Sequence, residues 1–544
     1  MNQLFYGDNL EVLQKQIGDE SVDLCYVDPP FNSKRNYNQI YNNIGKDDIA
    51  QTQAFVDTWV WGQSAELQLE LLYKDQRYTR RLVDTILGLE KILGKGGMSA
   101  YLVNMAVRFV EIRRVLKPTG SFYLHCDSTA SHYLKIILDA IFCDQGGKFN
   151  NEIIWRRHYS HNDGRKLGCI HDTIFYYTKS KNYTFNRQYL EYDAGYIAKH
   201  YNLTDENGRQ FRSVSMNGAG QGEPRYFGEK LLAPPKGRHW IWTQDRINKA
   251  LDEGKIFFTS QGIPRYKQFL DEMRGVTVQD TWTDFYSLSS HDKERLGYAT
   301  QKPLALLERI IKLSSSEGDM VLDAFCGCGT TVDAAHSLGR KWIGVDITYN
   351  AISLILKRLK DRYGSGIEQQ IQLSGIPHDL KAATALAHKK DDRLRKEFEK
   401  WAILTYTDNH AKINDKKGSD RGMDGIAYIL GGKAIFSVKS GNVSVKDVRD
   451  LRGVMEREDA AAGVLLTLAE PTKPMLHEAA ASGTLPDPPG LRMPKKIPRL
   501  QIVTIQEMLD GARMNLPFPE SVVKSAQQHI PDDGNRQFEF ENNQ

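Results

Sequence analysis

Two short apolar runs of this chain end in an aspartate followed by residues that cannot prolong a strand, and they constrain the fold more than any other feature. Leu24-Cys25-Tyr26-Val27 runs into Asp28-Pro29-Pro30-Phe31, and Met320-Val321-Leu322 runs into Asp323-Ala324-Phe325-Cys326-Gly327-Cys328-Gly329. Proline fixes φ and carries no N–H, so the first stretch is a rigid loop leaving a strand end. The second is a buried strand, a glycine turn and a helix that Gly339 stops.

The surrounding pattern extends this reading. Residues 1–185 alternate apolar runs such as GSFYLHCD, EIIWRR and DTIFYYTK with helical stretches such as HYLKIILDAIF. Residues 300–360 repeat the alternation, ending in the strand-like KWIGVDI. This is α/β architecture with a largely parallel sheet, to which both blocks can contribute. The 544-residue length exceeds a single core and predicts several domains. Net charge is +4, which permits a nucleic-acid partner without requiring one. No apolar run approaches the roughly 20 residues that span a bilayer, and MNQLFYGDNL has no secretory character, so no membrane association and a cytoplasmic location are expected. The six cysteines lack the paired CxxC spacing of a zinc site and read as reduced packing residues.

The glycine turn behind Asp323 has the geometry of a nucleotide site, in which close backbone approach and a helix N-terminus favour an anionic group. Thr330-Thr331-Val332 stand where a dinucleotide fingerprint places its third glycine, which argues against a pyrophosphate cradle. Asp346, at the end of KWIGVDI, is placed to accept hydrogen bonds from ribose hydroxyls.

Taken together, LFYGDNLEVL, DPPFNSKR, VLKPTGSFYLHCD and YATQKPLALLERIIKLSSSEGDMVLDAFCGCGTT resemble the beta class of DNA amino-methyltransferases. In that class the catalytic DPPF motif comes first, target recognition lies in the middle and the S-adenosylmethionine loop comes last. The resemblance implies a Rossmann-like methyltransferase sheet divided as residues 1–185 (catalytic part), 186–290 (inserted target-recognition region, rich in basic and aromatic residues) and 291–373 (cofactor-binding part). It further implies S-adenosylmethionine as cofactor and double-stranded DNA as partner, and leaves open a homodimer or a separate restriction subunit. Phe325, Gly327 and Gly329 would line the methionine half, with Asp323 near its ammonium, Lys302 near its carboxylate, Asp346 on the ribose and Asp8 on the adenine. An exocyclic amine is a poor nucleophile because its lone pair is delocalised into the ring. The Asp28 carboxylate and the Pro29 carbonyl can each accept an amine hydrogen, Pro30 keeps them rigid, and Phe31 offers a face for a flipped base. Within the class, aspartate before Pro-Pro goes mostly with N6-adenine and serine with N4-cytosine; the alternative is an N4-cytosine enzyme whose C-terminal domain only binds DNA.

Residues 374–400 read as a charged linker helix, residues 401–515 as a small α/β domain and residues 516–544 as a tail without periodicity at its end. DRGMDGI followed by a hairpin and FSVKSG resembles the Mrr-type restriction-endonuclease fold. That resemblance implies Asp424 as a Mg²⁺ ligand and Lys439 as the group orienting water. Ser437 stands where a second acid is usual, and Glu399 on the preceding helix is a candidate to replace it.

Overall fold

The computed structural model describes residues 1–30, 36–41, 50–56, 61–160, 165–289, 292–296, 298, 300–377, 379–388, 392–414, 422–430, 432–486 and 496–517. They form two compact units: Met1–Asn186 with Asp280–Gln544, and Arg187–Gln279.

The first unit is built on a nine-stranded sheet. Its strands are β1 (Asn2–Tyr6), β2 (Val22–Val27), β3 (Leu116–Cys126), β4 (Lys148–Arg156), β5 (His171–Thr178), β6 (Thr281–Trp282), β7 (Met320–Asp323), β8 (Lys341–Asp346) and β9 (Ile371–Ser374), in the spatial order β6-β4-β5-β3-β2-β7-β8-β1-β9. The two sequence blocks meet at β2 and β7, where Val321 pairs in parallel with Leu24 and Leu322 with Cys25. Every neighbouring pair from β3 through β9 across the centre is parallel, and β5 alone runs antiparallel to both its neighbours. A parallel sheet needs both faces covered. Helix α1 (Asn9–Gln16) and helix α2 (Gly97–Val115) supply part of that cover. Tyr101, Leu102, Met105, Ala106, Phe109 and Ile112 of α2 are at most 1% exposed, so this helix is buried on nearly every side.

Three further helices lie around β7 and β8: α3 (Leu304–Ser314), α4 (Thr330–Ser337) and α5 (Tyr349–Tyr363). Gly329, at φ +76°, opens α4. A Cβ there would lie 2.7 Å from Ile355 Cγ1 of α5, so this glycine lets the two helices close together.

A five-stranded sheet follows, entered through α6 (Asp392–Tyr406). Its strands β10 (Ala411–Ile413), β11 (Gly425–Ile429), β12 (Gly432–Lys439), β13 (Ala462–Thr467) and β14 (Leu500–Thr504) lie in chain order, the first three antiparallel and the last three parallel. Helix α6 crosses the boundary read at residue 400, because Phe398, Trp401, Ala402 and Ile403 form one continuous buried segment. Of the tail, Pro517 still accepts from the Leu430 N–H at 2.8 Å and Leu516 is buried; its remainder lies outside the described residues.

The middle region differs from its sequence reading in two ways. Residues 280–286 belong to the main sheet unit: β6 pairs with β4, and Trp282 is buried there with its neighbour Phe285 at a ring separation of 6.1 Å. Arg187–Gln279 is also more regular than its composition suggests, with a four-stranded antiparallel sheet and a core of Met216, Phe227, Trp240, Ile247 and Ile256. Its strands are two to six residues long, too short for a period-2 pattern to stand out.

Replacing Gly329 with valine is expected to destabilise the protein by about 2–5 kcal/mol, the sum of left-handed backbone strain and overpacking. Urea unfolding should show a lower midpoint at unchanged slope, and adding Ile355→Ala should recover part of the loss.

Candidate active site

The parallel strands β1, β2, β7 and β8 all point the same way, so their carboxyl ends share one edge of the sheet. Asp28 follows β2, Asp323 ends β7, Asp346 ends β8, and Gly7-Asp8 follows β1. Ligand crevices of open α/β sheets form at this edge.

Three acids gather there. Asp323 is 4% exposed; burial pushes its carboxyl up to about 7, against hydrogen bonds from Thr331 and the Phe325 N–H, and the charges of Asp28 and Asp346 add to the rise. Burial likewise pushes Asp346 up to about 6. Its Oδ1 accepts from the Thr348 N–H and hydroxyl, each at 2.9 Å, and its Oδ2 accepts from the Gly327 N–H at 2.9 Å. The glycine turn is thus stitched to the next strand, and the Cys326 N–H bonds Val345 O at 3.1 Å to complete the seam. Gly327 has φ +49°, and a Cβ there would stand 3.4 Å from the buried Tyr298 ring. A Cβ at Gly329 would meet Ile355, so this glycine, expected to line the methionine half, also serves helix packing.

Asp28 is held by a residue from the other block. Lys302 Nζ is ion-paired with Asp28 Oδ2, and the two side chains are 12% and 16% exposed. Asp28 Oδ1 is buried and accepts no hydrogen bond among the described residues. Lys302, read from sequence as a group for a cofactor carboxylate, therefore stands on the DPPF acid. Pro29 is buried and Pro30 half-buried behind it; Phe31 lies outside the described residues.

Behind this loop runs a buried polar chain that the motif reading did not find. Tyr26 Oη lies 2.9 Å from His125 Nδ1, and His125 Nε2 lies 3.0 Å from Asp172 Oδ2. Asp172 also pairs with Arg157 Nε at 3.0 Å, and the hydrogen bond from His125 helps hold its carboxyl below the usual range despite burial. An ionised Asp172 takes the His125 Nε2–H, which leaves Nδ1 to accept from Tyr26. His125 and Asp172 stand at the ends of strand runs that look merely apolar, so only their polarity within those runs could have marked them.

Asp8 is the N-cap of α1, accepting from the Leu10 N–H at 2.8 Å, and its other oxygen takes Arg108 Nη2 at 2.9 Å. Arg108 Nε also donates to Asn9 Oδ1, and Asn9 Nδ2 donates to Ala324 O at 2.7 Å, tying the Gly7-Asp8 loop to the glycine turn.

In the C-terminal sheet, Asp424 Oδ2 accepts from the Val438 N–H at 2.7 Å, placing the acid beside the end of β12. Ser437 is 4% exposed and Lys439 half-buried on that strand. Among the described residues no group of three or more His, Cys, Asp or Glu side chains is arranged to hold a metal.

Comparison with known proteins agrees with this layout. The N6/N4 DNA methylase family model matches residues 22–357, and the chain belongs to that family. A restriction endonuclease model of the Mrr catalytic type matches residues 394–486. Similar proteins include the type II methyltransferase M.EcaI of Enterobacter cloacae, 34% identical over 262 residues that make up 48% of this chain and 57% of M.EcaI. The Mod subunit of the type III restriction-modification enzyme StyLTI of Salmonella typhimurium is 27% identical over 361 residues, 62% of this chain and 50% of that subunit. The DNA adenine methyltransferase YhdJ of Escherichia coli is 24% identical over 393 residues, 69% of this chain and 94% of YhdJ. The chain therefore spans about half the length of these first two relatives. Among the described residues no helix is long and apolar enough to cross a membrane.

The raised acids predict a pH dependence of the ligand-free protein. Asp323 and Asp346 bind protons more tightly folded than unfolded, so their contribution is present below pH 4 and is lost as pH rises through 6 and 7. The urea midpoint is expected to fall between pH 5 and 8, and Asp323→Asn should flatten that fall.

Proposed function

We propose that this chain transfers a methyl group from S-adenosylmethionine to the N6 amine of an adenine flipped out of double-stranded DNA. The observation that carries the proposal is Asp28: one carboxylate oxygen is fixed on Lys302, and the other is buried beside Pro29 with no hydrogen-bond donor among the described residues. A buried acceptor left without a donor costs free energy, of the order of 1–3 kcal/mol, and a substrate N–H would remove that cost.

The residues at the strand ends suit a cationic cofactor. Asp323 and Asp346, both raised by burial, would gain from positive charge brought near them, and the close backbone approach at Gly327 leaves room at the turn. When bound, the cofactor supplies a methyl group made electrophilic by its sulfonium. The chain supplies the rest: Asp28 Oδ1 and the Pro29 carbonyl accept the two amine hydrogens and orient the nitrogen lone pair, while Lys302 keeps the carboxylate from turning away. The adenine reading rests on the DPPF aspartate and is supported by the likeness to a relative named as a DNA adenine methyltransferase.

Arg187–Gln279 is the candidate for sequence recognition. Several of its basic residues are already engaged: Arg209 stacks on Phe269 at 3.8 Å and pairs with Asp271 and Glu272, and Arg246 lies 4.2 Å over Trp242. A cleft of about 480 Å³ lined by Lys199, His200, Asn202 and Arg212 offers basic groups for DNA phosphates on the same unit. In the C-terminal domain, cleavage would require Mg²⁺ at Asp424 and would depend on Lys439.

Asp28→Ala is expected to lower methyl transfer by about 10³-fold or more while S-adenosylmethionine affinity stays within about 3-fold, since Asp28 faces the amine. Lys302→Ala should lower turnover less, by about 10- to 100-fold, by freeing the carboxylate to rotate. Transfer of label from the cofactor to duplex DNA, with the modified base identified after digestion, measures both. Methylation by Asp28→Ala at the wild-type rate, or label found on cytosine, would contradict the reading.

A further inference from the structure

Helix α6, which opens the nuclease-like domain, is built into the cofactor side of the methyltransferase sheet. Glu397 Oε2 accepts from the Tyr349 N–H at 3.1 Å and from the Tyr6 hydroxyl at 3.4 Å, and Glu397 Oε1 accepts from Lys400 Nζ at 3.0 Å. Two turns further along, Thr405 Oγ1 lies 2.8 Å from the Tyr349 hydroxyl. One helix therefore grips Tyr349 at its backbone and at the tip of its ring.

The two tyrosines flank the acid assigned to the ribose. Tyr6 ends β1 and pairs in register with Asp346, and the next residue, Gly7, donates its N–H to Asp346 O at 2.9 Å. Tyr349 opens α5 just after Thr348, the residue whose N–H and hydroxyl both bond the Asp346 carboxylate. Their rings meet edge to face at 6.1 Å. Glu397 is 9% exposed, and its charge is one of the influences that raise Asp346.

A second side of α6 meets the other candidate site. A Cβ at Gly425 would lie 3.1 Å from Ile403 Cδ1, and Gly425 directly follows Asp424. Residues 397 and 403 are separated by roughly 120° around the helix and about 9 Å along it, so they look toward different neighbours. Phe398, Trp401, Ala402, Ile403 and Leu404 are at most 1% exposed, so the turn 401–404 is buried on every side and has little freedom to shift alone.

We propose that Glu397 is a positioning residue for Asp346, supplied by the nuclease-like domain, and that α6 couples cofactor loading to the Asp424 end of that domain. This rests on the reading of the strand-end site as an S-adenosylmethionine site. Coupling is reciprocal, so a change near Asp424 must alter cofactor affinity as surely as cofactor alters that end.

The test uses full-length protein, calorimetric titration with S-adenosylmethionine, and amide hydrogen exchange with and without it. Cofactor should slow exchange in residues 323–349, and also in 395–406 and 425–429. Glu397→Ala should weaken binding by about 5- to 50-fold and abolish the protection of 395–406, whereas Glu397→Gln, which keeps an acceptor for both donors, should stay within about 3-fold of wild type. Gly425→Ala, which presses on Ile403 from the nuclease side, should also weaken binding several-fold. Should Glu397→Ala not fold, Thr405→Val removes one hydroxyl contact to Tyr349 and should give a smaller loss of the same kind. Protection that stops at α5, or Gly425→Ala and Thr405→Val both binding as wild type, would overturn the coupling. A wild-type protein that does not bind S-adenosylmethionine at all would remove the methyltransferase reading and the coupling with it, a result distinct from binding without protection.

Discussion

The parallel pairing of β2 with β7 is the contact on which the rest of the methyltransferase part depends. Leu24 and Cys25 are wholly buried, as is Leu322, and Val321 nearly so, and their register places two strand ends side by side. Side chains alternate faces along a strand, so a one-residue slip would carry Asp28 or Asp323 to the wrong side of the sheet. With the register fixed, Lys302 meets Asp28 across 274 residues of sequence, and Asn9 meets Ala324 across 315. The apolar runs thus determine where the charges stand.

That arrangement concentrates like charges in a buried place. The charges of Asp28 and Asp346 raise the proton affinity of Asp323, and among the described residues only Asp28 of these three acids has an ion-pair partner. A stable core would not gather acids in this way for packing alone, because burying a carboxylate without a cation is unfavourable. Natural folds tolerate such conflicts mainly where a ligand resolves them.

The strand ends and their acids were legible in the sequence because proline and glycine interrupt apolar runs in a way that allows few backbones. The α/β class, the joining of the two blocks and the nuclease-like hairpin were legible for the same reason. Other parts depended on pairings between distant positions. Lys302 looks like any lysine in QKP until α3 brings it over β2, and Glu397 is one charge within KKDDRLRKEFEKW, a stretch whose composition suggests solvent exposure. Asp8 and Arg108 satisfy each other only because α1 and α2 are adjacent. The short strands of Arg187–Gln279 carry too few residues apiece for periodicity to register, and β6 contributes two residues to the main sheet.

The place of β1 has a consequence for how the chain is made. Strand β1 lies between β8 and β9, with Leu4 paired to Gly344 on one side and to Leu373 on the other. Neither partner exists until most of the methyltransferase part has been synthesised, so an apolar strand with two open edges must wait through that interval. Closing so long a loop is slow compared with local helix formation. Strand β1 is therefore a late-folding element one strand in from the edge of the sheet, left open until residues 341–374 arrive to enclose it.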